Sequence, residues 1–127
     1  MSPKATRAVE DAARRIVYRR DGHHCQMCGR SVVDFPSNVH HRINRGQGGS
    51  ALLERASLLI RICGSGTTFC HGWVTEHATK AGELGWVLPK NNPDIDPTQE
   101  RILTHEFGWV LLDDHGGRLP YVGEVAQ

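Results

Sequence analysis

The sequence predicts an α+β fold in a single small domain, and three observations predict it. An amphipathic run near the N-terminus reads as a helix. Short apolar runs bounded by glycine and proline read as strands. Four cysteines fall in two separated pairs, Cys25 with Cys28 and Cys63 with Cys70. The 127 residues are 39% apolar and only 6% aromatic, with fourteen glycines. A core that thin gains from a metal staple.

Taken in order, residues 4–20 form the helix. Ala5, Ala8, Val9, Ala12, Ala13, Ile16 and Val17 recur at three- and four-residue steps, one apolar stripe. Lys4, Arg7, Arg14, Arg15 and Arg19 populate the remaining surface, facing solvent or phosphates. Asp21-Gly22 stops the helix. Cys25-Gln26-Met27-Cys28-Gly29 is a tight turn that aims two thiolates at one point. Alone, C-x-x-C is also compatible with a redox pair. The second pair favours metal: Cys63 and Cys70 are joined by Gly64-Ser65-Gly66-Thr67-Thr68-Phe69, a spacer flexible enough to fold back. Four thiolates suit a closed tetrahedral structural zinc site. Reduced buried thiols and disulfides are the competing readings.

Val32 to Pro36 and Asn38 to His41 read as short extended segments around a turn at Pro36-Ser37. Asn44 to Ser50 is a basic, glycine-rich loop without the Lys-Ser/Thr ending of a P-loop. Ser57 to Ile62 is a second extended run feeding Cys63. A helix follows from Cys70 or His71 through Ala81, ending at Gly82 or Gly85. In the last third, Gly85-Trp86-Val87-Leu88 recurs as Gly108-Trp109-Val110-Leu111, each a strand candidate. Asn91 to Thr98 is a proline-rich loop. Asp113 to Gly117 is a turn closing a hairpin with Leu119 to Val122. The chain thus divides into a basic helix (1–22), a knuckled core (23–84) and a β-rich C-terminal extension packed on that core (85–127).

Charge is lopsided. Residues 1–62 carry eleven Lys and Arg against five Asp and Glu, and residues 63–127 carry four against nine. A basic half suits nucleic acid. There is no run of eighteen apolar residues and no apolar signal core after Met1, so a cytoplasmic protein without membrane contact is expected.

Between the cysteine pairs lies Val39-His40-His41-Arg42, and Cys70 runs straight into His71. Adjacent histidines on an extended segment take different jobs: one can ligate a metal, the other can accept a proton from water. His71, next to a zinc ligand, is held rigidly enough to ligate the same metal. Two or three protein ligands leave open positions, the mark of a catalytic ion. Arg42 and Arg45 are placed to hold flanking phosphates. His77 lies six residues beyond His71, about 600° around a helix, and ranks below it. His23, His24, His105 and His115 read as surface residues, with His23 or His24 able to replace a cysteine at zinc.

The succession C-x-x-C, His-His, Gly-rich loop and apolar-Cys…Cys-His, over residues 23–77, resembles the HNH endonucleases of ββα-metal fold, and among them the small HNH proteins of actinobacterial phages. The resemblance implies that His41 is the general base. It implies that His40 and His71 hold a divalent cation (magnesium, manganese, nickel or zinc), His40 standing where many members have Asp. Cys25, Cys28, Cys63 and Cys70 hold the structural zinc. The implied activity is metal-dependent nicking or cleavage of DNA leaving a 5′-phosphate, in a bacterial host cell, linked to packaging alongside the phage terminase. The chain departs from the family at its middle Asn, whose place is taken by Leu58 with Ser57 beside it. Ser57 is expected to supply the loop support. A non-catalytic zinc-stapled DNA-binding module, or a packaging scaffold protein, is the rival reading.

Overall fold

The computed structural model describes residues 4–44 and 50–123. Helix α1 (Arg7–Asp21) starts at Thr6, whose hydroxyl accepts from the Val9 amide at 3.2 Å. It stops at Gly22, whose positive φ of 63° turns the chain away. Only its C-terminal half is covered: Ala13 and Val17 pack on Leu59 and Val39, while Val9 of the predicted stripe is exposed. The last turn is anchored by polar contacts. Buried Asp21 accepts from Arg20 at 2.7 and 3.0 Å and from the Arg61 amide at 2.9 Å. Arg20 also donates to the carbonyls of Ala56 and Leu59.

Strand β1 (Ser37–His41) pairs antiparallel with β2 (Leu59–Cys63), with Ser37 opposite Cys63 and His41 opposite Leu59. Strand β2 is covered on both faces, which is why it reads as a continuous apolar run. The extended segment expected over Val32 to Pro36 does not form. Val32 is buried as a single anchor, Val33 is exposed, and the local pairing is one bridge between His24 and Ser31. Two single 3₁₀ turns, Ala51–Leu53 and Ala56–Leu58, lead into β2.

The helix expected from Cys70 to Ala81 is two: α2 (Phe69–Glu76) and α3 (Ala78–Glu83). The break falls at His77, with φ −121° and ψ 49°. Its ring stacks on Trp73 at 4.9 Å, and its Nδ1 donates to the Trp73 carbonyl at 3.0 Å. The side chain shares the carbonyl that its own backbone amide uses, a local capping that competes with helix continuation.

In the last third, β3 (Ile102–Thr104), β4 (Gly108–Leu112) and β5 (Arg118–Pro120) form an antiparallel sheet in that order. The predicted turn closes β4 on β5: the Asp113 carboxylate accepts from the amides of His115 and Gly117 at 2.8 and 2.7 Å. The two Gly-Trp-Val-Leu runs have different fates. The second becomes β4. The first is not a strand, because Trp86 is drawn into the core, its Nε1 donating to the Leu103 carbonyl at 2.9 Å. The core joins Cys25 and Val32, Ile60 and Ile62, Val74 and Ala81, and Trp86, Ile102, Val110 and Leu112. Residues beyond 84 therefore complete the same core as the knuckles. Among the described residues, no helix is long and apolar enough to cross a membrane.

Candidate metal centre and histidine cleft

Two turns converge on one point. In the first, the Gly29 amide donates to the Cys25 carbonyl at 2.8 Å, with Gly29 at φ 82°. In the second, Gly64 at φ 91° lets the chain leave β2 and return through Thr68 to α2. The Sγ atoms of Cys25, Cys28, Cys63 and Cys70 consequently lie within 4.8 Å of one another, an arrangement fit to bind a metal ion and compatible with structural zinc. Burial pushes the Cys25 thiol up, and burial with the charge of Cys25 pushes Cys70 up. For Cys28 burial acts upward too, but the Arg30 amide and neighbouring thiols bring it below the ordinary value. Four such groups cannot all ionise side by side without a cation between them. His23 and His24 are exposed and stand outside this set.

Apart from the cysteines, His40, His41 and His71 line one cleft of about 360 Å³, with Val39, Asn44 and Thr75 at its walls. Each ring is held differently. His40 is buried, and its Nε2 sits 2.6 Å from the Trp86 carbonyl. A carbonyl only accepts, so Nε2 carries the hydrogen and Nδ1 keeps its lone pair. The His71 ring centre is 5.4 Å from that of His40, and its Nδ1 is buried with no hydrogen-bond partner among the described residues. His41 turns its Nε2 to the carboxylate of Glu54 at 3.0 Å. Burial pushes His40 down to about 4, with the neighbouring His71 adding to it, and burial also lowers His71. Both rings are therefore neutral at pH 7, the state that binds a cation.

That depression carries a stability consequence. Between pH 6.5 and about 4 the unfolded chain binds a proton at His40 that the native chain does not. The contribution is complete above pH 6.5 and is lost as the pH falls toward 4. Its size is about 3 kcal/mol at most, from the unit-to-energy conversion. The expected result is a His40 ring that stays neutral at pH 5.5 by ¹⁵N NMR. A ring protonated there would contradict the burial seen.

Arg42, expected at flanking phosphates, faces inward. It is wholly buried, and its guanidinium donates to five backbone carbonyls. Gly85, Ser57 and Glu100 are reached at 2.8 Å each, Arg101 at 3.4 Å and Pro97 at 3.5 Å. Burial lowers it to about 10, so it remains charged at neutral pH. The loop support expected of Ser57 is divided. Its hydroxyl and amide donate to Asp114, and its carbonyl receives Arg42, the residue after His41. The strap between the histidine strand and the segment before β2 is thus an arginine, reinforced by the Arg42 amide on the Leu58 carbonyl at 2.8 Å. Leu58 itself is core. Arg45 lies outside the described residues.

Glu54 was not legible in the sequence. It sits thirteen residues from His41 in a segment without periodicity. Its one signal is an acidic residue in the basic half. His77, stacked on its own helix, and the exposed His105 and His115 stay outside the cleft. No family model, curated protein or solved structure matches this chain.

Proposed function

We propose that the protein is a metal-dependent DNA endonuclease of HNH type, hydrolysing phosphodiester bonds. The observation that carries this reading is the cleft in which three histidines are held in three distinct ways. His40 and His71 fit a divalent cation. The Trp86 carbonyl fixes the tautomer of His40, as outer-shell carbonyls do for ligating imidazoles, and the buried His71 Nδ1 has no hydrogen-bond partner among the described residues. When bound, the cation supplies charge neutralisation at the phosphate and the departing 3′-oxygen.

His41 takes a proton from a water molecule as the water oxygen attacks phosphorus. The P–O3′ bond breaks, the 3′-oxygen leaves with the electron pair and is protonated from solvent, and a 5′-phosphate remains. Since Arg42 is buried, the exposed Lys4, Arg15 and Arg19 of the N-terminal segment and α1 take its place as candidates for phosphate contact. The tie to phage packaging and the terminase comes from the likeness of the motif.

The test is cleavage of supercoiled plasmid with magnesium, manganese or nickel, run beside His41→Ala. The parent is expected to nick or linearise the plasmid. The variant should be slower by about 10²- to 10⁴-fold while keeping its bound metal and its circular dichroism spectrum. If neither protein cuts but both shift DNA on a gel, the binding-module reading replaces this one. If neither binds, the scaffold reading does.

A further inference from the structure

Glu54 is an acidic group buried behind the histidine cleft, against His41. Its side chain is 1% exposed, and it faces His41 Nε2 at 3.0 Å. A buried carboxylate is costly unless it is paired and hydrogen-bonded. It is carried between the two 3₁₀ turns, with its own amide donating to the Ala51 carbonyl at 3.2 Å. The turn before it is capped by the Ser50 hydroxyl on the Leu52 amide. The residue after it, Arg55, holds Asp114 at 2.7 and 3.0 Å, and Asp114 in turn holds Ser57. The C-terminal hairpin thereby fixes the segment that presents Glu54. Nothing in the strand pairing of β1 requires such a carboxylate, since His41 is already in register opposite Leu59.

We propose that Glu54 positions His41 for catalysis, selecting the tautomer with hydrogen on Nε2 so that Nδ1 offers its lone pair to water; this rests on the endonuclease reading. A carboxylate only accepts hydrogen bonds, so Nε2 donates to it. When His41 Nδ1 takes the proton of the attacking water, the imidazolium formed lies against the Glu54 carboxylate and needs no rearrangement to be stabilised. Glu54 touches neither substrate nor metal in this scheme. Its effect on the chemistry passes through His41, by the same logic that orients the base in a Ser-His-Asp triad.

The experiment compares the full chain with Glu54→Gln and Glu54→Asp, using ¹⁵N NMR of the histidine rings and plasmid-cleavage kinetics. Each protein is first checked for equal bound metal and an unchanged circular dichroism spectrum. The expected parent signal is His41 with hydrogen on Nε2. Glu54→Gln, whose amide can donate to Nε2, should shift the ring toward the other tautomer. It should also lower kcat by about 10²- to 10⁴-fold, with KM within about threefold. Glu54→Asp should recover part of kcat. A folded Glu54→Gln with parental kcat, or with the parental tautomer, overturns the proposal. If the parent itself does not cut DNA, the endonuclease reading fails on its own, and the tautomer comparison still decides whether Glu54 orients His41.

Discussion

Removing the metal from the four-cysteine cluster is expected to unfold the protein, not merely to loosen a loop. The purified chain should carry one zinc, and Cys63→Ser should carry none. Structural zinc sites of this type supply about 10–16 kcal/mol of apparent binding energy at neutral pH, comparable to or greater than the stability of a typical domain. The geometry says where the loss would spread. Cys63 is the last residue of β2, whose first residue pairs with His41. Cys70 lies in α2 directly before His71. Cys25 belongs to the main apolar core with Ile60, Trp86 and Val110. Chelation should therefore abolish near-ultraviolet dichroism, red-shift tryptophan emission and disperse the histidine cleft together. A chelator-resistant fold with no bound metal would mean that the four cysteines are buried reduced thiols, and the staple would have to be given up.

Arg42→Met should be the most damaging single substitution outside the cysteines. It removes the guanidinium donor from five carbonyls, in the segment before β2, the Gly85 turn and the stretch from Pro97 to Arg101, of which Pro97 keeps the Glu100 amide at 3.3 Å. Three parts of the chain that share no regular secondary structure are joined at this one guanidinium. Each buried acceptor left unpaired costs on the order of 1–3 kcal/mol, and removing one partner from a buried charged network typically costs about 3–5 kcal/mol in total. For a chain of this length that lowers Tm by roughly 10–20 °C. Arg42→Lys should fare little better, since an ammonium cannot present the planar fork that reaches five acceptors. The same experiment separates this role from phosphate contact. Loss of a phosphate-binding arginine would leave Tm unchanged and reduce the salt slope of DNA binding by about one. Loss of Arg42 should do the reverse at temperatures where the variant is still folded.

The arginine also shows why a motif-based reading can find the right neighbourhood and misplace a residue. Arg42 follows two histidines in a basic half, and beside a proposed nuclease centre a cation suggests phosphate. Whether a side chain faces outward is decided by what lies across from it. Here the last third of the chain wraps over β1 and offers bare carbonyls, so the guanidinium turns inward. The two Gly-Trp-Val-Leu runs carry the same lesson: with the same four residues, one pairs between β3 and β5, and the other gives its tryptophan to the core. Periodicity cannot tell these apart, because the difference lies in the partner.

The amino-acid sequence by itself determined the α+β class, the N-terminal helix and its stop at Gly22, the two cysteine turns, and the hairpin closed by Asp113 to Gly117. Those features are local: they depend on side-chain spacing, on glycines that accept positive φ, and on short-range hydrogen bonds. It also brought His40, His41 and His71 onto one short list, because each sits within a few residues of a cysteine or a strand. Only the tertiary structure decided which nitrogen each histidine offers, since that depends on the Trp86 carbonyl and the Glu54 carboxylate, forty-six and thirteen residues away from their partners. It likewise decided that Arg42 straps the core and that residues beyond 84 complete it. Long-range polar pairing leaves no period in a sequence, and so these contacts become visible only when the chain is folded.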